Sequence, residues 1–248
     1  CAEDCPYEAI RMVPRTDGMP FPMEAAVNPS LCVSCGICVG ACPSSTPFRR
    51  TEDLRTGIDL PDYSLKELRE RVIAAAGMLT RPGRVLVLAC EHGAGKDRRD
   101  GAVVMPCVAM MPPSMVDFVL SRGLADGVVV AGCSESACYN RLGVDWTEQR
   151  FARRRDPYLR ARGPRDRIAT VWASTHEAGR LQSAIASFTA YIVGLPPIRL
   201  RSPLPPSAVS RPAKKREPAE CGPPDLSANS RRLGHNDADV RARRGSQG

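Results

Sequence analysis

An amphipathic pattern between residues 61 and 79 predicts a helix. Apolar residues recur there at the three- and four-residue intervals of one helix face: Leu65, Leu68, Val72, Ile73 and Ala76. Ser64 precedes this run and Glu67 lies three residues further on, which is the arrangement of a capping box. We therefore expect residues 49–82 to form a helical connector between two domains.

Short apolar runs and helical patterns alternate between residues 83 and 193. Four runs rich in β-branched residues are typical of buried strands: 84–89, 102–105, 127–131 and 168–172. This alternation predicts a small α/β domain with a mostly parallel, Rossmann-like sheet. Only about eleven residues separate the first two runs, fewer than a parallel crossover normally needs, so the direction of this pair stays open.

Three helices are predicted between and after these strands. Each has a start signal or a helical pattern of its own. In chain order they are Ser114 with Asp117 through Arg122, residues 145–155, and Ser174 with Glu177 towards Val193.

Composition divides the chain into a folded and an unfolded part. Its 248 residues correspond to one or two domains, and its 23 prolines exceed the roughly 12 expected at about 5% usage. Residues 194–248 are rich in Pro, Arg and Ser without apolar periodicity, which predicts a disordered tail. This tail holds most of the net charge of +8, but its cluster Lys214, Lys215 and Arg216 has no interleaved aromatic residue, so we expect no nucleic acid partner.

The chain contains no candidate membrane span. No run approaches the roughly 18 consecutive apolar residues that a bilayer requires, so we expect a cytoplasmic protein, at most peripheral to a membrane complex. The sequence starts at Cys1 without a charged and apolar leader, and we expect it to begin inside a longer protein.

Eleven cysteines carry the strongest chemical signal. They are too sparse for a disulfide scaffold, which typically has above about 8–10% Cys, and their number is odd. Residues 1–48 combine many Pro and Gly with too little apolar material for an ordinary core. We therefore expect a bound metal group to hold this segment together.

One spacing in this segment is highly specific. Cys32-x2-Cys35-x2-Cys38-x3-Cys42-Pro43 is the run with which bacterial ferredoxins bind a [4Fe-4S] cluster. Two-residue gaps let three thiolates reach three irons from one tight loop, and the fourth Cys turns towards a neighbouring cluster. Zinc is the alternative, but structural zinc sites use two separated cysteine pairs.

A second half-motif, Cys1-x3-Cys5-Pro6, repeats the end of this run, so residues 1–48 resemble a two-cluster ferredoxin. The resemblance implies an α+β ferredoxin-type module in which electrons pass between neighbouring clusters. One complete [4Fe-4S] cluster would take Cys5, Cys32, Cys35 and Cys38 as ligands. The other would take Cys1 and Cys42, with two ligands missing from the sequence.

Four further cysteines follow the predicted strands: Cys90, Cys107, Cys133 and Cys138. The first three come directly after, or within two residues of, the first three strands. In open α/β sheets, ligands collect at the carboxyl ends of the strands, so this placement predicts a second metal site. Buried apolar cysteines of an ordinary core are the alternative.

A resemblance to a known family is carried by three segments: VLAC at 87–90, VVMPCVAMMPPSMVDFVLSRGLADGVVVAGCSESACYNRLG at 103–143, and WTEQRFARRRDPYLR at 146–160. They resemble the delta (iron-sulfur) subunit of methyl-viologen-reducing hydrogenase. That family relays electrons between a hydrogenase and heterodisulfide reductase. The resemblance of the three segments to it implies a [2Fe-2S] cluster on Cys90, Cys107, Cys133 and Cys138. A ferredoxin module ahead of such a domain is also similar to heterodisulfide reductase A-type fusions.

Two positions depart from that family. Glu91, His92 and Gly93 follow Cys90, where many members carry another cysteine, and Tyr139 stands where a histidine often follows the last cysteine. His92 could serve as a ligand, as imidazole does in Rieske-type centres, or could be an ordinary loop histidine.

Two other patterns concern phosphate binding and protein docking. The GAGK sequence at 93–96 lacks the spacing and the Ser or Thr of a phosphate loop. Eight arginines between residues 150 and 167 form either a solvated helix face or a docking patch for an acidic redox partner. Cys221 in the tail is expected to be an unpaired thiol.

These patterns predict an iron-sulfur electron-transfer subunit of an oxidoreductase complex that does not turn over alone. Its partners would be a hydrogenase or other dehydrogenase and a flavin-containing, heterodisulfide-reductase-like protein. The sequence has neither a nucleophile paired with a base nor a dinucleotide fingerprint, so no catalytic residue is assigned. The alternatives are a redox- or iron-sensing regulatory protein and a zinc-stabilised interaction module.

Overall fold

The described part of the chain is a small N-terminal module followed by an α/β domain, as the sequence predicts. The computed structural model describes residues 1–18, 21–48, 54, 56–80, 82–98, 101–161 and 163–198. Of the predicted tail, everything from residue 199 on lies outside this range, Cys221 included. Within the described residues, no helix combines the length and apolarity needed to cross a membrane.

A hairpin and one short helix build the N-terminal module. Strands β1 (Ile10–Pro14) and β2 (Met23–Val27) pair antiparallel, and helix α1 (Ile37–Ala41) follows the cysteine loop. The helix packs on a 3-10 turn at Val108–Met110 of the α/β domain. A Cβ atom on Gly40 would lie 2.1 Å from the carbonyl oxygen of Ala109, so this close approach requires glycine.

Helix α2 (Leu65–Gly77) forms where the amphipathic pattern predicts it. The Ser64 hydroxyl oxygen accepts a hydrogen bond from the Glu67 amide, which confirms the predicted cap. The helix buries Leu65, Leu68 and Val72 in the same core as strand residues of the α/β domain. The connector is thereby fixed to the sheet.

A four-stranded parallel sheet organises the α/β domain. Its strands are β3 (Val85–Cys90), β4 (Ala102–Met105), β5 (Gly127–Gly132) and β6 (Ile168–Trp172), in the spatial order β4-β3-β5-β6. The first pair, whose direction the sequence left open, is parallel. Its short link makes successive turns rather than a helix, with Lys96 bonding back to Gly93 and Arg98 to Gly95.

Side chains of alternate strand positions enter two separate cores. Leu86 and Leu88 of β3 face helices α2 and α3 (Pro113–Ser121), whereas Val87 and Ala89 face helix α5 (Ala178–Gly194). Helix α4 (Gly143–Phe151) lies between β5 and β6 in the chain and contacts the 3-10 turn. Because both faces are covered, the strands read as continuous apolar runs.

Three predicted helix limits are wrong. Helix α3 starts at Pro113, a favoured first helical residue, and the Ser114 hydroxyl instead donates to the carbonyl oxygen of Ser45. Helix α4 ends at Phe151 rather than 155, because Arg153 adopts a left-handed conformation with φ of 63°. Ser174 bonds to the Glu177 carboxylate, but helix α5 begins only at residue 178.

Candidate metal centres

Four cysteines of the N-terminal module line one cavity of about 300 Å³. They are Cys5, Cys32, Cys35 and Cys38, the set predicted for the complete cluster. The wall between them is largely apolar and includes Tyr7 and Ile10, while Asp4 and Asp59 are its acidic residues. The loop that precedes α1 and the turn that holds Cys5 therefore face the same space.

The electrostatics of this cavity favour a bound cation. Burial raises the pKa of the Cys38 thiol to about 12, and the neighbouring Cys35, Cys32 and Cys5 raise it as well. Burial likewise raises the pKa of Cys35, which the Ile37 amide opposes by hydrogen bonding to the sulfur. Thiolates so close together require positive charge to be ionised together, and a metal cluster supplies that charge.

Cys1 and Cys42 are half-buried and are not among the described residues that line this cavity. Burial raises the pKa of Cys42, but hydrogen bonds from Ser44 and from the Gly57 amide outweigh burial and lower it. The Ser44 hydroxyl lies 3.0 Å from the Cys42 sulfur. Cys42 therefore lies in a different environment from the four cysteines that line the cavity.

The second group of cysteines converges at the carboxyl end of the sheet. Cys90 is the last residue of β3, Cys133 directly follows β5, and their sulfur atoms lie 3.6 Å apart. Cys133 and Cys138 are hydrogen-bonded through their sulfurs. A Cβ atom on Gly143 would lie 2.5 Å from the Cys107 sulfur and 3.5 Å from that of Cys138, so these two thiols face the same point.

The position of this group follows from the strand order. The chain leaves β3 for β4 on one side and later returns to β5 on the other, so the switch point lies between β3 and β5. Ligands of open α/β sheets bind in the crevice at that point. Cys90 and Cys133 flank it.

Backbone amides point at all four sulfurs of this second group. The His92 amide donates to Cys90 over 3.4 Å, the Ala109 amide to Cys107, the Tyr139 amide to Cys133, and the Asn140 and Val144 amides to Cys138. Burial raises the pKa of Cys107, and the bond with Cys133, followed by burial, raises that of Cys138. A thiolate at either position would need a positive charge beside it to offset its burial.

The His92 ring has partners other than the sulfurs. It stacks on Tyr139 with 3.6 Å between ring centroids, and its Nε2 lies 3.3 Å from a Glu91 carboxylate oxygen. His92 therefore contacts the Cys90 sulfur through its backbone amide, while its imidazole interacts with Glu91 and Tyr139.

No three His, Cys, Asp or Glu side chains of the described residues converge as a single metal ion requires. A cubane cluster needs a different arrangement, because each thiolate binds a different iron and the sulfurs surround a volume. Cys5, Cys32, Cys35 and Cys38 all line one cavity of about 300 Å³.

The two cysteine groups meet at a buried junction. Cys107 packs with Ile37, Ala109 and Trp146 in one apolar cluster, and Cys35 packs against it. Beside this cluster, the Tyr7 hydroxyl donates to the side-chain oxygen of Asn140, which is 3% exposed. The N-terminal module and the α/β domain are in contact through the residues that carry the cysteines.

The arginine run does not form one solvated face. Arg150 is buried and reaches Asp4, Arg155 also reaches Asp4, and Arg167 bonds to the carbonyl oxygens of Asp126 and Pro196. Arg154, Arg160 and Arg165 are exposed. The predicted docking patch is thus reduced to a part of the run.

Sequence reasoning missed Asp4, Tyr7, Asn140 and the buried role of Arg150. A signal existed only for Arg150, which lies four residues after Trp146 on the face of α4 that carries buried residues. The other three are ordinary polar residues whose partners lie more than 130 residues away in the chain.

Two family models match the chain. Residues 1–46 match the 4Fe-4S dicluster domain, and residues 100–195 match the family of the methyl-viologen-reducing hydrogenase delta subunit. The second match includes Cys107, Cys133 and Cys138, whereas Cys90 precedes it. No curated protein matches the chain. The predicted combination of families is confirmed, and it gives the chain an iron-sulfur electron-transfer role.

Proposed function

We propose that this chain, which joins a 4Fe-4S dicluster segment to a hydrogenase delta-subunit segment, relays electrons between two redox proteins through its own metal centres. Its N-terminal centre would be a [4Fe-4S] cluster on Cys5, Cys32, Cys35 and Cys38. Its second centre would be a [2Fe-2S] cluster on Cys90, Cys107, Cys133 and Cys138. Cys1 and Cys42 would be ligands of a further [4Fe-4S] cluster.

The residues of the N-terminal cavity fit a [4Fe-4S] cluster. Four thiols line one volume with largely apolar walls, and amides donate to the sulfurs, as the Ala9 amide does to Cys5 over 3.3 Å. When bound, such a cluster accepts and releases single electrons at a potential set by hydrogen bonds, charge and burial.

The residues of the second group fit a smaller, all-thiolate centre. Four sulfurs lie in a row of neighbours from Cys90 through Cys133 and Cys138 to Cys107, each with an amide donor. A zinc site would need these sulfurs to surround one ion, whereas no three metal-binding side chains of the described residues converge in that way. The [2Fe-2S] assignment is supported by the resemblance of this segment to the delta-subunit family.

One observation carries the relay: Cys35 of the first group and Cys107 of the second belong to the same packed contact. Electron tunnelling falls steeply with distance, and a dry, packed contact between ligands of two centres is the arrangement that a relay needs. Ile37 and Trp146 exclude water from it, since they are 0% and 7% exposed.

The delta-subunit match supports redox proteins as the partners of this chain. The chain would pass single electrons between a hydrogenase or another dehydrogenase and a flavin-containing, heterodisulfide-reductase-like protein. No proton or bond is transferred on the chain itself. The chain is accordingly proposed to be an oxidoreductase subunit that does not turn over alone.

The first test is iron and acid-labile sulfide per chain on anaerobically purified protein, with EPR spectra after dithionite reduction. About six iron atoms and two distinct signals are expected for one [4Fe-4S] and one [2Fe-2S] cluster, and about ten if a further [4Fe-4S] cluster forms. Zinc without sulfide would overturn the proposal.

A second measurement separates a relay from a redox or iron sensor. Repeated reduction and reoxidation under argon should leave the iron content unchanged, because a relay must return to its starting state. Loss of iron in each cycle would favour a sensor instead.

A further inference from the structure

Three charged side chains form a linked group at the junction of the two modules. The Arg150 guanidinium lies 3.1 Å from Asp4 Oδ1, and the Arg155 guanidinium lies 2.8 Å from the same oxygen. Arg150 also donates to the carbonyl oxygen of Ala109 over 3.1 Å, while Arg155 lies 4.0 Å from the centroid of the Trp146 ring. We call Asp4, Arg150 and Arg155 the junction triad.

The junction triad carries a net charge of +1 at a largely dry position. Two guanidinium groups share a single carboxylate, and an arginine stays protonated in proteins. The side chains are 16% exposed for Asp4, 1% for Arg150 and 25% for Arg155. A fixed charge at such a position is screened much less than a surface charge.

The junction triad lies beside both cysteine groups. Asp4 directly precedes Cys5 and lines the same cavity as the four N-terminal thiols. Arg150 interacts electrostatically with Cys107, and the Trp146 ring beneath Arg155 packs with Cys107. The two cations therefore lie between the two cysteine groups, with the Asp4 carboxylate on the side of the N-terminal cavity.

We propose that the junction triad tunes the N-terminal centre, with the cations Arg150 and Arg155 raising its reduction potential and the Asp4 carboxylate lowering it. This inference rests on the proposed function, since it requires a redox centre on Cys5, Cys32, Cys35 and Cys38. Reduction adds one negative charge to the centre, and a neighbouring buried cation stabilises the charged product. Asp4 limits the effect, because its carboxylate cancels one of the two cations.

Two further charged groups near this cavity have opposite signs. Asp59 lines the cavity and adds one anion, whose carboxylate oxygen accepts the Leu60 and Leu65 amides. Arg141 adds a further cation, which donates to the carbonyl oxygen of Pro6 over 2.8 Å and lies over the Tyr7 ring.

The test is a potentiometric titration, followed by EPR, of the N-terminal centre in the full chain. Arg155→Gln removes one cation and should lower the midpoint potential, whereas Asp4→Asn removes the anion and should raise it. A change of at least about threefold in the ratio of reduced to oxidised centre at a fixed ambient potential is expected, where tenfold corresponds to about 59 mV.

Two matched variants separate charge from structure. Arg154→Gln removes the same charge one residue away at an exposed position and should leave the potential unchanged. Arg155→Lys loses the planar guanidinium but keeps the charge, and should retain most of the potential. If the Arg155→Gln protein does not retain its cluster, the potentials of Asp4→Asn and Arg155→Lys are compared instead. A higher potential in Asp4→Asn than in Arg155→Lys is then the expected result.

Shifts of opposite sign in Arg155→Gln and Asp4→Asn, with no shift in Arg154→Gln, would establish the inference. Equal shifts in Arg155→Lys and Arg155→Gln, or shifts of the same sign in both charge variants, would overturn it. Absence of a [4Fe-4S] signal from the unsubstituted protein would instead refute the proposed function itself.

Discussion

The sulfur atoms of Cys90 and Cys133 lie 3.6 Å apart across the carboxyl ends of β3 and β5. These residues are 43 positions apart in the chain, and the parallel register of Val85–Gly127 through Ala89–Ala131 aligns the two strand ends. The contact places two thiols at the switch point of the sheet, which is where open α/β sheets generally bind their ligands. Thiols of this kind suit zinc and iron-sulfur clusters.

Replacement of Cys133 and Cys138 by Ser should remove the second centre and leave the first. A hydroxyl is a poor ligand for a [2Fe-2S] cluster, and both substituted positions lie outside the N-terminal cavity. EPR of the reduced protein should lose one of two signals, and the iron content should fall by about two atoms. Retention of both signals would refute the ligand assignment.

Gly143→Ala should selectively prevent assembly of the second centre. The new methyl group would lie 2.5 Å from the Cys107 sulfur, closer than van der Waals contact permits, so either this sulfur or the start of α4 would have to move. Iron analysis should show the loss of about two atoms per chain. Gly179→Ala in α5 is the control, since a Cβ atom there meets nothing within 4 Å and should leave the iron content unchanged.

Tyr7→Phe should weaken the junction between the modules. It leaves the buried side-chain oxygen of Asn140 without the hydroxyl that donates to it over 3.1 Å, at a cost of about 1–2 kcal/mol. The thermal midpoint of the metal-loaded protein should fall by about 2–6 °C. Tyr191→Phe changes a half-exposed tyrosine and should leave the midpoint unchanged; an equal fall in both variants would contradict the prediction.

Alkylation of the metal-free protein should distinguish Cys42 from Cys38. Hydrogen bonds lower the pKa of Cys42, whereas burial raises that of Cys38 to about 12, so at a given pH Cys42 has the larger thiolate fraction. Iodoacetamide labelling followed by mass spectrometry from about pH 7 to 10 should modify Cys42 first. Simultaneous modification would show that the two environments do not differ as described.

Local patterns were enough to predict several features. The Ser64 cap, the helix after it and the four strands were predicted because capping and periodicity depend on neighbours within a few residues. The ferredoxin spacing could also be recognised in the sequence, because three of its thiols reach one cavity from a single short segment. The match of residues 1–46 to the 4Fe-4S dicluster domain agrees with that interpretation.

Features that depend on distant partners were decided by the tertiary structure. The direction of β4 and the hydrogen bond that Ser114 makes instead of capping α3 could not be predicted locally, because the first depends on strand pairing and the second on a contact with Ser45. The same holds for Asp4 and Arg150, which are 146 positions apart. An arginine run usually indicates a solvated face, but burial and a shared carboxylate at the junction give Arg150 and Arg155 their structural role.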